Sequence, residues 1–334
     1  MLIIRQREVR EILDGREHDL IDLVGEAYAA HAQGASVLPH SVFLRFPDDV
    51  RKRIIGLPGY LGGVHESAGV KWIASFPGNL DVGLERASAV MVLNSPRTGR
   101  AQALLEASLI SAKRTAASAA LGAALLVPAP ERVRGVGLVG AGVINAEILA
   151  FLAAKLPALA EVTVFDQDAE RARSFIEKAA GRLPELRYTI AATISEALGA
   201  HELVSLATTA ATPHTGLEAC QPGATVLHIS LRDIHPDAIR GAHNVVDDTD
   251  HVLREKTSLD LARQEAGNQD FVDAQIGDLL TKRTQLRRDP GRVAVYSPFG
   301  LGVLDLAVAR LVFDSARERG SGVAVTDFLD GTDS

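Results

Sequence analysis

Apolar positions recur along this chain with two different periods, and the way they alternate divides it. Leu2-Ile3-Ile4 is a short apolar run that reads as a strand. Over residues 9–33, apolar side chains return at three- and four-residue spacing, the period of amphipathic helix. Glycine and proline punctuate residues 39–83, which predicts strands joined by turns. Ser108 to Leu126 has a helical pattern rich in alanine and serine, small side chains that let backbones approach closely. Pro128 and Pro130, followed by Glu131 and Arg132, interrupt that pattern and mark a domain joint.

Beyond the joint, short apolar strands alternate with helical stretches. The strands predicted are Gly135–Val139, Glu161–Phe165, 203–207, 224–230 and 244–246. Such alternation gives a parallel sheet with helices on both faces, a Rossmann-like doubly wound α/β domain that begins at about residue 128. Residues 301–313 read as an amphipathic helix, and the chain from Thr326 as a frayed tail. A length of 334 residues suits two domains.

Composition narrows the possible functions. At 47% hydrophobic and 23% charged residues, the chain can bury large cores. The net charge of −7 disfavours nucleic acid as a partner, since phosphate binding needs a basic surface. Cys220 is the only cysteine, which excludes an intrachain disulfide and cysteine-rich metal sites. The ten histidines form no His-Glu-x-x-His motif, so no catalytic metal is expected. The opening residues lack the apolar core of a signal peptide. The apolar stretch 115–127 is shorter than the roughly 20 residues that span a bilayer. A cytoplasmic protein without membrane contact is the expectation.

The most informative stretch is Val136-Gly137-Leu138-Val139-Gly140-Ala141-Gly142-Val143-Ile144-Asn145-Ala146. An apolar strand enters Gly-x-Gly and a helical pattern follows at once. Gly140 permits the tight turn, and Gly142 lets the main chain approach a pyrophosphate at the positive end of the helix. Asn145 stands where the dinucleotide fingerprint has Gly or Ala. By itself the motif also fits a plain strand–turn–helix. Asp166, at the end of the next strand, adds the second half of the fingerprint. A carboxylate at that distance meets the adenosine ribose and repels a 2′-phosphate, which favours NAD over NADP. Asp166 reads equally as a helix cap, and Arg171 and Arg173 soften the preference.

Other candidate groups are less marked. Arg45, Lys71 and Arg114 each sit among apolar or turn residues. Each alone reads as a surface cation on an alternating element; together they suit carboxylate binding. Asp233 follows the apolar strand that contains His228, at the carboxyl end where ligands of parallel sheets bind. It is either a turn aspartate ahead of Pro236 or a general acid/base.

Taken in order, these residues resemble the ornithine cyclodeaminase/mu-crystallin family from about Pro39 to Asp305. The resemblance rests on Gly69-Val70-Lys71-Trp72, Pro77-Gly78-Asn79, Leu93-Asn94 with Thr98-Gly99, and above all Ser111-Ala112-Lys113-Arg114-Thr115-Ala116-Ala117-Ser118. Ala207-Thr208-Thr209, Gln275-Ile276-Gly277-Asp278-Leu279-Leu280 and Ser297-Pro298-Phe299-Gly300 with Asp305 extend it. It implies a dinucleotide-binding domain, 128–302, inserted into an α+β substrate and dimerisation domain, 1–127 with 303–334, and a homodimer. It also implies roles. Arg45, Lys71 and Arg114 would hold the substrate carboxylate, with Lys71 and Asp233 catalytic. Gly140, Ala141, Gly142, Val143, Ile144, Asp166, Thr208, His228 and Ser230 would hold NAD.

Cyclodeaminases of the family follow the catalytic aspartate with Pro-Gly-Lys, whereas Asp233 is followed by Ile234-His235-Pro236. Lys71-Trp72-Ile73-Ala74-Ser75-Phe76-Pro77 and Ser297-Pro298-Phe299-Gly300 look like one branch, the NAD-dependent dehydrogenases of N-(2-amino-2-carboxyethyl)-L-glutamate. Those release 2,3-diaminopropionate for siderophore and antibiotic assembly. Ornithine cyclodeamination, alanine or arginine dehydrogenation, imine reduction and non-catalytic binding of the mu-crystallin kind are the other readings.

Overall fold

The computed structural model describes residues 1–326 and Phe328. The tail expected from Thr326 lies otherwise outside the described residues. The chain divides into two compact units, Met1–Arg114 with Leu301–Ser334, and Thr115–Gly300. The first division falls inside the helix Ser108–Leu126, ahead of Pro128. A proline marks where a helix must stop, whereas a division between units follows where packing partners change.

The first unit is built on a mixed eight-stranded sheet. Across it run Val323–Ala324, Leu2–Ile4, Ala101–Glu106, Ala87–Asn94, Ser67–Ser75, Asp49–Leu61 and Ser36–Val37, with Val42–Phe46 also paired to Asp49–Leu61. Only the Leu2–Ile4 pairing with Ala101–Glu106 is parallel. The helix Gly302–Glu318 packs against this sheet and against the helix Glu17–Ala32. Gly59 makes close approach possible there, since a Cβ on it would meet Leu306 Cδ1 at 3.2 Å.

Strand alternation sends successive side chains to opposite faces, and the two faces of this sheet differ. Lys71 and Met91, paired across neighbouring strands, are buried. The adjoining row Val42, Gly56, Trp72 and Val90 lies on the opposite face. Val42, Trp72 and Val90 are exposed there, as is Leu44 one row on.

All eight strands of the second unit are parallel. In spatial order they are Arg187–Ile190, Glu161–Phe165, Gly135–Val139, Leu203–Leu206, Thr225–His228, Ala294–Ser297, His243–Val246 and Val272–Gln275. The chain starts in Gly135–Val139, steps outward through two strands, then restarts on the other side with Leu203–Leu206. That reversal is a topological switch point, where parallel α/β sheets bind their ligands beyond the strands' carboxyl ends. Arg187–Ile190, Val272–Gln275 and Ala294–Ser297 are strands beyond those the sequence predicts. The first two are the sheet's edges and carry polar, partly exposed residues; the third is a buried run of four.

Candidate functional site

The glycine loop sits at the switch point. Gly140 has φ +97°, and a Cβ there would meet the Ala207 carbonyl oxygen at 2.5 Å, so only glycine fits where the two central strands end. Gly140 N–H donates to the Phe165 carbonyl at 2.8 Å. Gly142 is the N-cap of the helix Val143–Lys155, without a side-chain cap and with open space around its Cα. Unsatisfied N–H groups at the positive end of a long helix, with room in front of them, fit a pyrophosphate.

Asn145 replaces the third glycine of the fingerprint with a hydrogen-bonding clasp. Fully buried, it donates to the Val139 and Gly140 carbonyls at 3.0 and 2.7 Å and accepts from Ser205 Oγ at 2.8 Å. Asp166 accepts from Ala141 N–H at 2.8 Å and from Asp168 N–H at 3.0 Å. The cap of the following helix is Asp168, which leaves Asp166 beside the loop. Arg173 is drawn into an exposed ion pair with Glu170.

Beyond the neighbouring strands, Thr208, Ser230, His228 and His214 converge on Asp233. The chain turns sharply to bring this about: Leu231 has φ +67°, a left-handed conformation that costs a non-glycine residue about 1–2 kcal/mol. Asp233 is fully buried. Thr208 Oγ1 donates to its Oδ1 and Ser230 Oγ to its Oδ2. His214 Nε2 lies 3.2 Å from Oδ1, and His228 Nε2 lies 3.3 Å from Oδ2. His228 Nδ1 is 3.2 Å from Ser297 Oγ. Burial alone would raise the Asp233 carboxyl, but His228, Ser230 and Thr208 more than reverse it and hold it well below the usual carboxylate range. His214 keeps about a third of its side chain exposed and opens onto a cleft of about 730 Å³ shared with Ser195, Glu218 and His235. Among the described residues no group of three or more His, Cys, Asp or Glu side chains could hold a metal ion.

The first unit holds the cations. Lys71 Nζ lies 2.7 Å from Asp305 Oδ2, and Arg114 Nε lies 3.1 Å from Asp305 Oδ1. Ser111 Oγ is 3.2 Å from Lys71 Nζ and 3.4 Å from Arg114 Nη2. All three charged groups are buried. Burial pushes the Lys71 ammonium down to about 8, with Asp305 opposing the fall and Arg114 adding to it. Arg45 is not in this cluster. It lies over the Phe43 ring at 5.2 Å and pairs across the strands with Arg53, which pairs with Ser75. By register that row shares the face of Lys71, about 13 Å along the strand at about 3.3 Å per residue. Arg86 Nη1 donates to Ser75 Oγ at 3.0 Å.

Sequence reasoning missed Arg53, Arg86, His214 and the partnership of Asp305 with Lys71. Asp305 is far from Lys71 along the chain, and only the packing of the last helix on the sheet pairs them. Arg53 lies on Asp49–Leu61 and Lys71 on Ser67–Ser75, so only the register of the two strands places them on one face.

A glycine loop at the switch point of a parallel sheet, beside a carboxylate at the end of the next strand, defines a dinucleotide-binding fold. The chain belongs to the ornithine cyclodeaminase/mu-crystallin family, whose profile matches residues 2–320. It is 28% identical to N-((2S)-2-amino-2-carboxyethyl)-L-glutamate dehydrogenase of Staphylococcus aureus, over 97% of this chain and 98% of that protein. Identity to alanine dehydrogenase of Archaeoglobus fulgidus is 27%, over 98% of each chain. Among solved structures, an archaeal alanine dehydrogenase dimer with bound NAD superposes with TM-score 0.87 at 25% identity, covering 98% of this chain and 99% of that one.

Proposed function

We propose that this protein is an NAD-dependent dehydrogenase of N-(2-amino-2-carboxyethyl)-L-glutamate. The α carbon of the glutamate moiety loses hydride, and water adds to the resulting imine. Cleavage of the C–N bond then gives 2-oxoglutarate and 2,3-diaminopropionate. The observation that carries this reading is a row of cations: Lys71, with Arg114 of the helix Ser108–Leu126 buried beside it through Asp305, then Arg53 and Arg45 further along the same sheet face. The substrate has three carboxylates and needs such a face. Ornithine, with a second ammonium, would be repelled by it.

NAD, when bound, accepts the hydride. Within the Gly140–Ile144 turn the N–H groups from Gly142 on would face its phosphates, those of Gly140 and Ala141 being taken by Phe165 and Asp166, and Asp166 would accept from the ribose hydroxyls. Asn145 keeps the turn in shape without touching the cofactor. Arg114 uses Nε on Asp305 and Nη2 on Ser111, so its Nη1 edge remains to take a carboxylate, and Lys71 adds a point charge.

Asp233 would accept the proton of the attacking water. His214, whose Nε2 lies 3.2 Å from Asp233 Oδ1 and whose ring is partly exposed, would give that proton a route to solvent. The exposed apolar row Val42, Trp72 and Val90 supports a homodimer formed through the first unit's sheet.

The test is a panel of amino acids with three, two or one carboxylates, mixed with NAD and followed by NADH absorbance. Turnover is expected to be most efficient with the tricarboxylate. Equal or better efficiency with alanine would overturn the substrate assignment.

A further inference from the structure

Asp305 has no part in the proposed chemistry so far, yet it is the only carboxylate bonded to the two buried cations among the described contacts. We propose that Asp305 is a positioning residue for this reaction: its one buried carboxylate bridges Lys71 and Arg114 and spaces them into a carboxylate clamp. The inference rests on the substrate reading above.

The geometry divides the carboxylate's labour. Oδ2 faces Lys71 Nζ at 2.7 Å and Oδ1 faces Arg114 Nε at 3.1 Å, so the two cations are bridged by one rigid group on the last helix. Engaging Nε rather than the Nη pair turns the far edge of the guanidinium away from Asp305. That edge can take an incoming carboxylate with two parallel hydrogen bonds. Asp305 is itself held ionised although buried: Arg114 and Lys71 outweigh the burial that would protonate it.

Charge arithmetic makes the group responsive. Two buried cations and one carboxylate leave a single net positive charge, enough to attract an anion and small enough to bury. The charges facing Lys71 are Asp305 from the last helix and Arg114 from the helix Ser108–Leu126; the strand neighbours Leu57 and Met91 carry none. Without the Asp305 charge, burial and Arg114 act together on Lys71, and both favour loss of its proton. A substrate carboxylate has the opposite effect, so binding above pH 8 should draw a proton in.

The experiment uses the full chain, with Lys71 followed by NMR of labelled lysine side chains in the absence of substrate and cofactor; Lys71→Arg assigns the signal. The wild type should titrate near 8. In Asp305→Asn the midpoint should fall by at least about one unit, and Asp305→Glu should restore most of it. If Asp305→Asn does not fold, Arg114→Gln serves, and there the midpoint should rise by about as much. In kinetics, the alkaline limb of kcat/KM should move to lower pH in Asp305→Asn while kcat at saturation changes less. A wild-type midpoint near the ordinary 10.5, or a midpoint unmoved by the substitutions, overturns the proposal. Correct NMR shifts in a protein that oxidises no amino acid would instead sink the substrate reading and leave the Asp305 assignment standing.

Discussion

His214 Nε2 stands 3.2 Å from Asp233 Oδ1, and it is a partly exposed ring beside a fully buried carboxylate. This contact gives the aspartate a path to solvent. Asp233→Asn should lower kcat by roughly 10²-fold or more, while NAD still binds. His214→Gln, which keeps a hydrogen-bonding group but no base, should lower kcat roughly tenfold, with recovery on adding imidazole. Near-native turnover in Asp233→Asn would show that Asp233 only shapes the turn. The same substitution tests the sign of the carboxylate's shift. A group depressed in the folded state adds stability above its ordinary value of 3.8 and loses it as pH falls below that. Acid unfolding of Asp233→Asn should therefore depend less steeply on pH below about 4.

Asn145 offers a test of the glycine loop that leaves the glycines alone. Asn145→Ala strips donors from two buried carbonyls and an acceptor from Ser205, at a cost on the order of 2 kcal/mol. Urea unfolding should show that loss, and NAD titration by fluorescence should show weaker binding. Unchanged NAD affinity in the destabilised protein would mean that the clasp does not shape the cofactor site.

Asp166 should set cofactor choice. With its carboxylate beside Ala141 and Arg173 committed to Glu170, kcat/KM with NAD should exceed that with NADP at least about tenfold, roughly 1.4 kcal/mol. Asp166→Asn should narrow the ratio. Equal efficiencies in the wild type would place Asp166 away from the ribose.

Much of this was legible along the chain because it rests on local rules. Gly140, Asp166 and the Ser108–Leu126 helix each announce themselves by spacing, and the parallel sheet follows from strand and helix alternation. Asn145 broke the glycine fingerprint, and only the buried carbonyls around it explain why the break is tolerated. The Asp305 bridge and the convergence of His214 and His228 on Asp233 depend on contacts between residues distant in sequence. The edge strand Arg187–Ile190 escaped because it is only four residues long, too short for its polar–apolar alternation to stand out from the flanking polar chain.

The exposed Trp72 row makes a prediction about assembly. Light scattering of the wild type should give twice the 35.4 kDa chain mass at micromolar concentration. Trp72→Asp, a charge at the centre of the apolar row, should weaken association at least about thirtyfold, roughly 2 kcal/mol. A wild type that runs as a monomer would remove the interface.

The central claim is that hydride leaves the glutamate α carbon. It is tested most directly with N-(2-amino-2-carboxyethyl)-L-glutamate deuterated at that carbon alone, incubated with the protein and NAD, and followed by mass spectrometry of all products. The expected result is reduced cofactor one mass unit heavier, with unlabelled 2,3-diaminopropionate and unlabelled 2-oxoglutarate in equal amounts. Unlabelled reduced cofactor, or deuterium retained in the released amino acid or keto acid, would contradict it.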